Sequence, residues 1–246
     1  GELGRAAGPL FVVTAIKFLG LKGTPVLMVL GLAASLLLYF RLRDLPTHYH
    51  PVPLAHDLKP ALKKVAPFVT AVSCIYLAVA FLLTSVTTFL PIYLTENGSS
   101  LWFAGASLTI LQIAGVAGAM LSGTWSDKLG RKPLLIAAIL ISPVALFLFL
   151  NTTGMVSTFF LLLMGFAMIS MQPVLMAWIQ QTYPQQRALA NGVYMAITFV
   201  IRSLIVILIG WMGDRLGLRN AFMVCAVLAL AALPIVLLTP SKPAPQ

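Results

Sequence analysis

Acidic side chains are scarce in this chain. Glu2, Asp44, Asp57, Glu96, Asp127 and Asp214 are the only six among 246 residues. None falls deep inside a long apolar run, so paired carboxylates for acid–base chemistry are excluded there, as is a carboxylate proton carrier. Cysteine is scarcer still: Cys74 and Cys225 each stand alone in an apolar run, and no disulfide framework follows. Histidine is confined to His48, His50 and His56, in one proline-rich stretch with Asp57 beside it. A solvated linker accounts for that cluster better than a metal site. Glycine-rich phosphate loops, His-Glu-x-x-His helices and Gly-x-Ser-x-Gly elbows are all missing. No enzyme, cofactor or bound metal is expected.

What is present is apolar. Hydrophobic residues make up 60% of the chain and charged ones 9%, with a mean hydropathy of +0.98. A soluble domain cannot hide that much apolar surface, so the solvent is lipid. The net charge of +10 comes from sixteen basic residues spread between apolar runs, which argues against a nucleic-acid surface. Crossing ~30 Å of hydrocarbon takes about 20 residues of helix. Eight runs qualify, over about 3–20, 24–41, 66–94, 100–122, 133–151, 156–181, 189–210 and 220–239. Only helices close their backbones over runs this continuous. The expected fold is an all-α polytopic transmembrane bundle of eight spans.

The connections are short except for residues 42–65, which hold prolines, all the histidines and several charges. They divide the chain into 1–41, a linker 42–65, a bundle 66–239 and a tail 240–246. Within the linker, 57–65 is expected as a short amphipathic surface helix with Lys59, Lys63 and Lys64 towards lipid headgroups. With eight spans both termini share one side. Arg5, Arg41, Arg43, Lys59, Lys63, Lys64, Lys128, Arg131, Lys132, Arg187 and Lys242 fall on it. Only Lys17, Lys22, Arg215 and Arg219 fall opposite. The richer side, holding the linker and both termini, reads as cytoplasmic.

Between the fourth and fifth runs lies Gly123 to Pro133, GTWSDKLGRKP, expected as a hydrophilic turn. Its Gly123, Asp127, Lys128, Gly130, Arg131 and Lys132 fit G-x-x-x-D-[KR]-x-G-R-K-P. This resembles the loop signature of the major facilitator superfamily of secondary transporters, where it joins the second and third helices of a six-helix half. Gly210 to Gly217, GWMGDRLG, repeats the pattern after the seventh run, and the assigned topology sets the two copies on opposite sides. Two triples of inverted orientation are how such halves are built. Residues 66–239 then resemble a complete C-terminal half. The first two runs resemble the last two helices of the preceding half, with four upstream helices expected. In the first run, Gly4, Gly8 and Pro9 resemble G-x-x-x-G-P, a fifth-helix signature associated with antiporters of the family, and the resemblance points to a drug-efflux-type subfamily. Val12 and Val13 stand where that signature has a glycine pair.

The resemblance implies efflux of a small organic solute by alternating access in the cell membrane, with protons a candidate coupling ion; without the four upstream helices the chain is not expected to transport alone. It also implies that the Asp127 turn packs beneath the start of the first run as a conformational gate with Gly123, Gly130, Arg131 and Lys132. A receptor or scaffold that keeps the fold without transporting is the alternative. Polar groups inside the spans mark the path. Asn191, Tyr194, Thr198 and Arg202 recur on one face of the seventh run, and Ser73, Tyr76, Thr84 and Thr87 on one face of the third. With Gln112 and Gln172, the cavity candidates are Tyr76, Thr84, Gln112, Gln172, Tyr194 and Arg202. Ala114, Gly115, Gly118, Ala119 and Ser122 form a small face for close packing. Met164, Met168, Met171 and Met176 stripe the sixth run, as core filling or as an adaptable pocket wall.

Overall fold

The computed structural model describes residues 2–43 and 58–239. His48, His50, His56, the central part of the linker and the tail lie outside the described residues. Among those described there is no strand. The helices are α1 (Glu2–Leu19), a 3-10 turn (Leu21–Val26), α2 (Leu27–Leu42), α3 (Leu58–Glu96), α4 (Leu101–Leu129), α5 (Arg131–Asn151), α6 (Gly154–Thr182), α7 (Arg187–Leu216), α8 (Leu218–Leu230) and α9 (Ala232–Leu238).

Seven described stretches are long and apolar enough to cross a membrane, from Leu21–Leu42 through Leu218–Leu238. The first expected span falls short. Its apolar part is Ala7–Leu19, about 20 Å at 1.5 Å per residue against a core of ~30 Å. The expected surface helix over 57–65 is also different, because from Leu58 it forms the opening turns of α3. No breaker separates the two. Pro67 removes only the bond that would run to the Lys63 carbonyl, at an exposed residue.

The expected turn at 123–133 is almost wholly helical. α4 continues to Leu129 and α5 starts at Arg131, leaving Gly130 alone between them. Ser122, Thr124 and Ser126 turn their hydroxyls back onto the carbonyls of Ala119, Leu121 and Gly123 at 2.9–3.0 Å, satisfying themselves within the helix. Gly130 has φ +89° and ψ 155°, and Gly217 in the second copy has φ +79° and ψ 150°. Side chains rarely adopt that conformation. Both repeat copies therefore end a long helix on the same backbone turn. The last expected run instead splits in two. Pro234 lacks the N–H that would bond to the Leu230 carbonyl, and α8 ends at Leu230.

Lipid gives helices no hydrophobic reason to associate, so close approach and packing hold the bundle together. α4 and α6 show this most clearly. A Cβ on Gly118 would collide with the Phe166 carbonyl, one on Gly165 with the Leu111 carbonyl, and one on Gly115 with the Ile169 side chain. The small face expected on 114–122 is the seam of that pair. α6 also packs on α5, α3 lies against α7 and α8, and α1 lies along α4. Met164, Met168 and Met171 are buried in the core beside Leu82, Leu111 and Leu146, whereas Met176 is half-buried. The stripe fills the core. α2 is different: every described residue from Met28 to Leu42 is exposed.

Candidate functional site

Four helices bring polar side chains to one point. Thr87 of α3, Gln112 of α4, Gln172 of α6 and Arg202 of α7 line a cavity of about 30 Å³, completed by Leu83 and Ile169. Arg202 stands near the middle of the 30 residues of α7, far from either water-facing end. Thr87 donates to the Leu83 carbonyl at 2.7 Å and keeps its lone pairs for the cavity. Among the described residues, no hydrogen bond or ion pair reaches Gln112, Gln172 or Arg202. The space admits one or two waters and no organic solute, since a water needs about 10–15 Å³ of such volume. The pocket is narrow, and the Gln112 and Gln172 amides and the Arg202 guanidinium lining it make no hydrogen bond to a described residue.

The other candidates are placed beside it. Tyr76 and Tyr194 meet edge to face across the α3–α7 contact, with ring centroids 6.1 Å apart. Both are buried and neither lines the cavity. Thr84 is fully buried on α3 and also stands off the cavity. The Tyr194 hydroxyl, Thr84 Oγ1, Ser73 Oγ and Asn191 Oδ1 are buried without a hydrogen-bond partner. An unpaired buried polar group costs about 1–3 kcal/mol, so this run of orphans along α3 and α7 calls for water or a bound polar group. Thr198 is satisfied locally, donating to the Met195 carbonyl at 2.8 Å.

The sequence motif forms a second site at the Gly130 end of the bundle. Arg131 donates from Nε to Gln181 Oε1 at 2.7 Å and sits 3.4 Å from Asp127. Lys132 donates to the Leu237 carbonyl at 3.2 Å. With Ser126, Gly130, Pro133 and Trp178, these residues line a cleft of about 530 Å³. Nearby, the Tyr183 hydroxyl donates to the Lys64 carbonyl at 3.1 Å, and burial pushes its pKa up. Asp127 is 67% exposed, and Arg131 is its sole described partner. Gly123 faces open space, as do Gly4 and Gly8. The close approach of α1 to α4 falls instead at Val13 over Gly105.

Gln181 and Gly105 escaped sequence reasoning. Gly105 sits in the run Ala104-Gly105-Ala106-Ser107, whose small residues extend the α4 face and were its only signal. Gln181 carried none, because its role arises from a neighbour 50 positions away.

A family model described as Major Facilitator Superfamily matches residues 1–185 and also residues 72–246, so every residue lies in a match. The fosmidomycin resistance protein of Escherichia coli (strain K12) is similar, with 25% identity over 255 aligned residues. The alignment spans 98% of this chain and 61% of that relative.

Proposed function

The chain belongs to the major facilitator superfamily, and on that premise we propose that it takes part in secondary active transport of a small organic solute, outward across the cell membrane. The observation that carries this reading is the meeting of Gln112, Gln172 and Arg202 with Thr87 in one mid-bundle cavity. A transport site needs polar groups at that depth, and here they come from four separate helices.

In this reading residues 1–41 supply two helices of one half, with α1 as an eighth, shorter membrane helix, and residues 66–239 form the other half. The inverted copies ending on Gly130 and Gly217 support that pairing of triples. Alternating access then rocks the halves about the cavity, opening it from about 30 Å³ to solute size. Both termini and the Gly130 end face the cytoplasm, by the distribution of basic residues. Arg202, with its fork of donors, would engage a carboxylate, phosphonate or phosphate on the solute. The name of the similar resistance protein supports export as the direction. Asp127 and Arg131 would act as a gate against α1, and coupled protons would be carried by groups other than the six acids of this chain.

Efflux of anionic antibacterials, fosmidomycin among them, tests the reading in cells expressing the full-length gene product, with Gln112→Leu and Gln172→Leu as partners. The expected result is lowered accumulation that both variants weaken. Unchanged accumulation of every compound, with the protein folded in the membrane, would favour a non-transporting scaffold instead.

A further inference from the structure

Most of the unpaired buried polar atoms collect along one helix contact. Among the described residues, Ser73 Oγ and Thr84 Oγ1 of α3 have no hydrogen-bond partner, nor have Asn191 Oδ1 and the Tyr194 hydroxyl of α7 or Oε1 of its N-cap Gln186. Thr109 and Arg131 hold the other atoms of this kind. Local chemistry does not explain the cluster. Ser85, Ser142, Ser170 and Thr182 are buried too, and each turns its hydroxyl onto a carbonyl of its own helix at 2.6–2.9 Å. Ser73 and Thr84 make no such bond.

The five atoms follow one another along a seam between parallel helices. At about 100° per residue, Ser73, Tyr76, Thr84 and Thr87 share an arc of about 80° on α3, and Asn191, Tyr194, Thr198 and Arg202 share an equal arc on α7. The Tyr76–Tyr194 pair joins the two arcs, and the cavity lined by Thr87 and Arg202 joins them again further along. At the Gly130 end, Tyr183 and Gln186 meet Lys64 of α3 around a space of about 10 Å³. The seam thus runs from a void the size of one water to the mid-bundle cavity of about 30 Å³. The two tyrosine rings stand between them.

The unpaired atoms are sealed inside the bundle. In this conformation neither a solute in the cavity nor a helix from outside reaches them, so only parting of α3 from α7 gives them partners. Water fits that role, since the groups are small, neutral and spread along a line. We infer that the α3–α7 seam is a water gate, closed here on Tyr76 and Tyr194, which parts to admit water from the Gly130 end to Arg202. The unmet hydrogen bonds favour opening and the edge-to-face ring contact favours closure, which makes the seam a two-state element. The inference rests on the transport reading only in placing this opening on a route to the solute cavity.

Hydroxyl-radical footprinting of the full-length gene product in nanodiscs reads the gate, because a tyrosine is oxidised where water reaches its ring. Tyr76 and Tyr194 should be labelled severalfold above Phe222, which is buried against Tyr93 away from the seam. Ser73→Ala and Thr84→Val each remove one unmet oxygen with little change of shape. Either should lower labelling of both tyrosines by about fivefold while Tm holds or rises. Ser142→Ala, which removes a hydroxyl already bonded within α5, should leave that labelling unchanged. Labelling no higher than that of Phe222, no fall in Ser73→Ala and Thr84→Val, or an equal fall in Ser142→Ala overturns the gate. A lowered Tm with unchanged labelling would give those hydroxyls a partner inside the protein, and overturns it too. Efflux is read separately: labelling without efflux defeats the transport reading alone, and efflux without labelling defeats the gate alone.

Discussion

Arg202 offers a prediction in which stability and binding move in opposite directions. Replacing it with Met removes a charge from the middle of α7 while keeping a long flexible side chain to fill the space. No described residue pairs with Arg202, so the substitution breaks no ion pair or hydrogen bond among the described residues. A central arginine costs about 2.5–3.5 kcal/mol on insertion scales. Here the side chain is half-buried beside a cavity with room for water, so we expect about 1 kcal/mol to be recovered. For a chain of this size that raises Tm by roughly 2–4 °C. Binding should change far more. A hydrogen bond to a charged group is worth about 1.5–3 kcal/mol, so an anionic solute should lose on the order of 10- to 100-fold in affinity. Arg202→Lys keeps the charge without the planar fork and should fall between the two. The assay is unfolding of the variants in nanodiscs together with solute binding to the same samples. A Met variant that unfolds several degrees earlier, or binds an anionic solute unchanged, would refute the reasoning. The first outcome would make Arg202 a structural residue with a partner, and the second would remove it from the site.

Within the motif, Gly130→Ala and Gly217→Ala should each destabilise by about 1–3 kcal/mol, because their backbone conformation is one that side chains avoid. Gly123→Ala faces open space in a helix and should stabilise by up to ~1 kcal/mol, so the ranking of the three melting temperatures checks the local geometry. Gly118→Leu should force α4 from α6 and cost at least ~1–3 kcal/mol, measured as lost thermal stability. Asp127→Asn removes a contact at 3.4 Å to a carboxylate that is 67% exposed, worth less than ~1 kcal/mol. Its unfolding should therefore hardly change, while cytoplasmic accessibility rises if the residue gates transport; unchanged accessibility would remove the gate.

Much of the architecture is written in single residue runs. Spanning lipid demands a continuous apolar helix whose backbone satisfies itself, and that requirement is local. The apolar runs therefore located the helices from α2 to α9 without any tertiary information. Gly130 and Gly217 were legible for the same reason, since a turn of that conformation depends on the residue that occupies it. The α4 small face could likewise be read, because lipid leaves close packing as the means of association.

The limits of each signal were local conflicts that a linear reading averages away. Residues 124–129 looked like a turn because Asp127 and Lys128 are charged, yet nothing in them breaks a helix and the Thr124 and Ser126 hydroxyls bond within it. Pro234 splits the last run four residues upstream of itself, through a carbonyl rather than through its own position. The candidate site divides along the same line. Helical periodicity put polar residues on one face each of α3 and α7, but faces fix only a direction. Rotation and tilt of α4 and α6, set by contacts such as Gly118 on Phe166 and Gly165 on Leu111, decided that Gln112, Gln172 and Arg202 share a cavity while Tyr76 and Tyr194 pack against each other. The Arg131 cleft lay further from view, because it needs Gln181 from α6 and Leu237 from α9. Sequence set which groups lie on each helix; packing alone decided which of them were left without partners.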